Sequence, residues 1–72
     1  MKESKRLHIK LNGETKEVGE GTTLLKLVEQ LSLAPERLAV ELNRDVVRRP
    51  DWPSTVLSEG DRVEIVHFVG GG

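Results

Sequence analysis

Val63-Glu64-Ile65-Val66-His67-Phe68-Val69, followed at once by Gly70-Gly71-Gly72, is the stretch on which the fold turns. It begins by alternating apolar and charged residues, then sets Ile65-Val66 and Phe68-Val69 side by side, which puts apolar side chains on both faces. A strand of that pattern wants a neighbour on each side, so the run predicts the central strand of a sheet. Reading back toward the N-terminus supplies the neighbours. Leu7, Ile9 and Leu11 alternate with His8 and Lys10, the period of a half-buried strand. Asn12-Gly13 follows directly and accepts positive φ at both central positions of a type I′ turn, so 14–18 is expected to return as the antiparallel partner. A three-residue loop with a bulge would shift that register.

Gly19-Glu20-Gly21 then breaks the strand, and Thr22 or Thr23 can cap a helix whose apolar positions Leu24, Leu27, Val28 and Leu31 recur with 3.6 periodicity, with Leu25 widening the stripe. Ser32 and Ala34-Pro35 end it, because the residue before proline is pushed out of the α region. A helix so short is marginal alone and needs a sheet to cover. Val40 and Leu42 alternate with Ala39 and Glu41, Asn43-Arg44-Asp45 offers turn chemistry, and Val46-Val47 completes a shorter hairpin. Arg48-Arg49-Pro50-Asp51-Trp52-Pro53 cannot be a central strand and reads as a loop with one 3₁₀ turn, and Ser58-Glu59-Gly60-Asp61 as a further turn. If the last strand pairs with 7–11, the intervening helix makes a right-handed crossover and the two strands run parallel. The expected fold is α+β: a β-grasp, ubiquitin-like arrangement in which a mixed four- or five-stranded sheet packs one face on a single helix. The expected divisions are a charged, flexible leader over 1–6, the domain over 7–69 and a flexible glycine tail over 70–72.

Composition narrows the function. The 72 residues hold 11 basic and 12 acidic side chains for a net charge of −1, so no cation excess exists to neutralise a run of phosphates and nucleic-acid binding is disfavoured. No cysteine is present, which excludes disulfides, thiolate zinc sites and a thiol nucleophile, and His8 and His67 are the only imidazoles. No apolar run approaches the ~18–20 residues of a membrane span and the opening residues lead into no signal-peptide core, so a cytoplasmic protein without membrane contact is expected. With no nucleophile–base pair and little volume for a pocket, an enzyme in its own right is the weakest reading, and no bound cofactor or metal is expected.

Gly70-Gly71-Gly72 has no side chain to pack and the largest backbone entropy of any run, and reaches about 10 Å when extended. By itself the tail reads equally as a frayed end or as an arm presenting its carboxylate. That group is ionised at neutral pH and can attack the α-phosphate of ATP to form an acyl adenylate when an enzyme positions it. Glycine suits such an arm, since a backbone without Cβ threads a channel too narrow for other residues.

Leu11-Asn12-Gly13-Glu14, Ala39-Val40-Glu41-Leu42-Asn43, the loop around Trp52, and the ending from Gly60-Asp61-Arg62 through Gly70-Gly71-Gly72 together resemble the ThiS family, the sulfur carriers of thiamine biosynthesis. The resemblance covers about 7–72. It implies a carrier in which an adenylating enzyme related to ubiquitin E1 enzymes activates the carboxylate of Gly72 with ATP and Mg. A sulfur donor such as a cysteine desulfurase persulfide would convert the adenylate to a thiocarboxylate, and thiazole synthase would spend that sulfur in building the thiazole. Gly70 and Gly71 would thread the partner's active site, Phe68 and Val69 are candidate partner contacts, and the free protein is expected to be a monomer. The absence of cysteine agrees, because no side-chain thiol competes with the terminus. Alternatives are a carrier like the small subunit of molybdopterin synthase, a carrier for tRNA thiolation, or a ubiquitin-like interaction module whose tail is idle. The remaining residues take plainer roles: His67 and His8 as sheet-surface or core histidines, Arg44, Arg48, Arg49, Lys2, Lys5 and Arg6 as solvated surface, and Trp52 as the plug of a small core.

Overall fold

The first hairpin sets the frame in the computed structural model, which describes residues 5–68. β1 (Arg6–Leu11) and β2 (Glu14–Gly19) pair antiparallel from Arg6 opposite Gly19 to Leu11 opposite Glu14, leaving a two-residue connection. Asn12 (φ 49°) and Gly13 (φ 86°) both take positive φ there, as a type I′ turn requires, so no bulge shifts the register. Arg6, placed in the leader by the sequence pattern, is the first residue of β1.

The helix α1 (Leu24–Gln30) starts where Thr23 accepts a hydrogen bond on its hydroxyl from the Lys26 N–H at 3.1 Å. Its end differs from expectation. The helix stops at the Leu31 cap, and Ser32 turns left-handed with φ 58°, three residues before Pro35. Termination is therefore a left-handed step of the kind usually given to glycine, not a consequence of the proline. Leu24, Leu27 and Val28 are fully buried against the sheet.

β3 (Leu38–Leu42) and β4 (Asp45–Val47) form the second hairpin. Asp45 pairs with Leu42, so it belongs to the strand and not to the turn, which is made by Asn43 (φ 52°) and Arg44 (φ 76°) alone. A type I′ turn without glycine hides behind a residue pair with ordinary strand neighbours. The loop that follows is a longer 3₁₀ segment than expected, Arg49–Ser54, and carries Trp52 into the core at 1% exposure. Its indole N–H donates to the Val47 carbonyl at 2.8 Å, which ties the loop to β4.

β5 (Arg62–His67) closes the sheet in the order β2-β1-β5-β3-β4, parallel to β1 and antiparallel to β3, as the right-handed crossover rule anticipates. Among the described residues, a five-stranded mixed sheet with one α-helix makes the expected β-grasp. Two details depart from expectation. Parallel pairing with β1 covers only Lys10–Leu11 against Arg62–Val63, because β1 turns away at Asn12 while β5 runs on. The strand is also central by hydrogen bonding and not by burial on both faces, since Val63 is buried and Ile65 half-buried while Glu64 and Val66 are exposed.

The core is one cluster built around Ile9, Val18, α1, Val40, Trp52, Leu57 and Val63. A 72-residue chain has little surplus stability, so its largest buried side chain matters most. Replacing Trp52 with Ala should cost about 3–5 kcal/mol, and Trp52→Phe about 1–3 kcal/mol, the latter because the Val47 carbonyl loses its donor. Urea titrations of the two variants check this; losses under 1 kcal/mol in both would remove Trp52 from its structural role.

Candidate functional site

Three elements converge on the end of β5, where the chain leaves the sheet for its glycine tail. On one side, β3 holds the strand throughout: Asn43 N–H donates to the Arg62 carbonyl at 2.7 Å, Leu38 lies opposite His67, and the Phe68 N–H donates to the Arg37 carbonyl at 2.8 Å. On the other side the backbone of β1 gives out early, its final bond running from the Asn12 N–H to the Val63 carbonyl at 2.8 Å. Side chains then take over. Asn12 Oδ1 accepts from the Ile65 N–H at 2.7 Å and its Nδ2 donates to the Ile65 carbonyl at 3.3 Å. Asn43 does the corresponding work at the start of β5, accepting from the Arg62 N–H at 2.9 Å and donating to Asp61 Oδ1 at 3.1 Å.

The sheet face turned away from α1 carries Val46, Val66 and Phe68, while a further exposed valine, Val56, lies outside the strands, bridged to Thr23 beside the start of the helix. Val66, 54% exposed, lies opposite Ala39, and Phe68, 55% exposed, follows two residues on; Val46 on β4 is exposed as well. Between them Glu41 and Glu64 sit directly opposite each other, an unfavourable placement for two like charges. The face is thus apolar near the exit of the chain, with an acidic centre.

Two shallow depressions of about 180 and 280 Å³ flank Lys10 and Arg62 on this same face, below the ~300–1,000 Å³ of small-molecule sites. Among the described residues no three His, Asp or Glu side chains gather as a metal set. His8 lies between two carboxylates, Nε2 at 3.5 Å from Glu17 and Nδ1 at 3.7 Å from Glu59, while its backbone N–H donates to Glu59 Oε1 at 3.0 Å. It is a half-exposed sheet-surface histidine that fastens the 58–61 turn to the first hairpin. His67 is exposed at the end of β5, and Arg44, Arg48 and Arg49 are all exposed along the surface. Trp52 is the core plug.

Of the residues singled out for function, Phe68 is placed at the exit of the strand, and Val69, Gly70, Gly71 and Gly72 lie outside the described residues. Sequence reasoning passed over two features. Asn12 and Asn43 read in the sequence as turn formers, and asparagine at such a position carries no local sign that its amide reaches another strand. Val46 was read only as a strand residue, because its partnership with the far edge of the face depends on the β3–β5 register.

A sheet of this order packed on a helix is the β-grasp fold of ubiquitin-like proteins, and in the sequence three glycines come two residues after its central strand. Its kinship is specific: the ThiS family model matches residues 9–72. The chain is 36% identical over 62 residues to the sulfur carrier protein ThiS of Thermus thermophilus, covering 86% of this chain and 95% of that one. It superposes on the crystal structure of the thiamine biosynthesis protein ThiS from Geobacter metallireducens with a TM-score of 0.79 at 33% identity, covering 92% of this chain and all of the other. It is also 48% identical over 66 residues to a thiazole synthase of Magnetococcus marinus, covering 92% of this chain but spanning only 20% of that protein's length. The chain belongs to the ThiS family.

The exposed face and the core should respond differently to substitution. Val66→Thr and Phe68→Ser should each shift stability by less than about 0.5 kcal/mol, as surface changes do, whereas Leu27→Ala under the sheet should cost about 2–5 kcal/mol. Thermal melts of the three variants decide it; a large loss from either surface variant would mean that the outer face is packed in the free protein.

Proposed function

We propose that this chain carries sulfur for thiazole formation in thiamine biosynthesis, with the carboxylate of Gly72 as the carrying group. The observation that bears most weight is the family match running through Gly72 on a domain whose central strand β5 leads into the tail. Activation begins when a carboxylate oxygen of Gly72 attacks the α-phosphate of ATP on an E1-like adenylating enzyme, forming the acyl adenylate and releasing pyrophosphate. A persulfide supplied by a cysteine desulfurase attacks the acyl carbon and displaces AMP. Cleavage of the resulting acyl disulfide by a thiol leaves the thiocarboxylate on Gly72 and a disulfide on the donor side.

Thiazole synthase is the proposed acceptor. Its support is the Magnetococcus marinus thiazole synthase, in which a stretch similar to this chain occupies a fifth of the protein. Joining a carrier to its acceptor makes their encounter intramolecular and raises the effective concentration of the sulfur-bearing end, which is of use only if the two work together. For the separate chain the exposed face around Val66 and Phe68 is the proposed contact, with Val69 continuing it and Gly70 and Gly71 threading the partner's channel. The carrier acts as a monomer between partners, in the cytoplasm, where activation draws on ATP and Mg held by the adenylating enzyme.

Incubated with its adenylating enzyme, ATP, Mg and a persulfide donor, the protein should gain the mass difference of sulfur for oxygen, confined to the C-terminal peptide. Unchanged mass beside an enzyme competent on another carrier would contradict the proposal. Gly71→Ala keeps the carboxylate and adds one methyl in the threading segment, so activation should fall at least about tenfold while the melting temperature stays put, since every buried residue among those described lies between Ile9 and Val63.

A further inference from the structure

Asn12 does more than its turn requires. A type I′ turn needs positive φ at its first central position, and glycine, asparagine or aspartate supplies that. The side chain here is spent elsewhere, on both main-chain groups of Ile65, accepting from the N–H at 2.7 Å and donating to the carbonyl at 3.3 Å. A primary amide carries the same donor and acceptor as a peptide group, so Asn12 stands in for the next residue of a parallel strand at the point where β1 has turned away. Aspartate would keep the acceptor but set a carboxylate oxygen against the Ile65 carbonyl.

The position of this bond gives it consequence. Past Ile65, β5 is held on the β3 side only, by the Leu38–His67 and Ala39–Val66 pairing and by the Phe68 N–H on the Arg37 carbonyl at 2.8 Å. Among the described residues Asn12 is the last hold on the β1 side. Seven residues, 66–72, follow Ile65 and span at most about 25 Å, so this bond fixes the root from which that stretch starts.

We infer that Asn12 is a positioning residue for the transfer chemistry: its amide clamps Ile65, keeps the end of β5 extended and sets the line along which the chain leaves the domain toward the partner's channel. This rests on the carrier reading. Clamping lowers the ordering cost that the partner would otherwise meet on capturing the chain, so its loss falls on capture and not on the chemistry that follows.

Asn43 provides a matched control. It has the same residue type, the same place in a type I′ turn with φ 52°, and a side-chain bond to the same strand, but at Arg62, the end far from the exit. Asn12→Gly and Asn43→Gly both keep the turns, because glycine accepts positive φ. In the free protein, Asn12→Gly should speed amide exchange at Ile65 at least about tenfold relative to the core amides, and Asn43→Gly should not. In activation assays Asn12→Gly should raise the KM for the carrier about three- to tenfold with kcat within about twofold, while Asn43→Gly leaves both near the starting values. Unchanged exchange at Ile65, or equal KM shifts in the two variants, would overturn the inference. Loss of protection at every amide in Asn12→Gly would also overturn it, by making the residue a requirement for folding. Failure of the unmodified chain beside an enzyme competent on another carrier would remove the carrier reading and the transfer role together, while exchange at Ile65 would still decide whether the clamp exists.

Discussion

Every main-chain donor and acceptor along β5 needs a partner, and the sheet is arranged around supplying them. One neighbour comes from the second hairpin, antiparallel and continuous from Leu42–Val63 to Leu38–His67. The other comes from the first hairpin, parallel and brief. A parallel neighbour obliges the chain to cross over, and the crossover is α1, which covers one face of the sheet and gives Val63 and Ile9 something to pack on. The two hairpin turns, each headed by a left-handed asparagine, fall on either flank of β5 and lend it their side chains. Core, crossover and turns all follow from holding one strand.

That strand is held for what comes after it. Its inner face contributes to a small core, while its outer face leaves Val66 and Phe68 in solvent and sets Glu64 opposite Glu41. Nothing in the stability of an isolated domain asks for such a face, and a threonine or lysine would serve there. An exposed apolar strip beside the exit of a carrier's tail makes sense when a partner covers it, because burial there adds to capture of the chain without altering the fold. Stability is supplied at a distance, by Trp52 and its bond to Val47 and by α1, so the functional end of the molecule is free to be unsatisfied.

Local chemistry was legible in the sequence, and so was the parallel pairing of β1 with β5 that the crossover rule requires, but not how short that pairing is. Asn12-Gly13 announced its turn and Thr22 or Thr23 a cap, which falls to Thr23, because each depends on neighbours within a few residues, and the run from Val63 announced its central place by its apolar pattern. The Asn43-Arg44 turn was misjudged by one residue since arginine at φ 76° has no local signature. The helix end at Ser32 was legible, but its cause was not, because a serine at φ 58° has no local signature and the proline beyond it drew the explanation. The apolar pairs Ile65-Val66 and Phe68-Val69 suggested burial on both faces, a pattern that a docking strand shares with a buried one. The tail and its role were read through resemblance to a family, and the clamp by Asn12 was invisible until β1 was seen to end before β5 does.

Carrier-dependent exchange of labelled pyrophosphate into ATP, measured with the adenylating enzyme and no sulfur donor, tests the central claim most directly, because it isolates formation of the adenylate on Gly72. The full chain should support exchange, and the chain ending at Gly70 should abolish it while melting at the same temperature. Exchange sustained by the shortened chain would show that Gly72 is not the acceptor and that the strand, its clamp and its exposed face serve some other purpose.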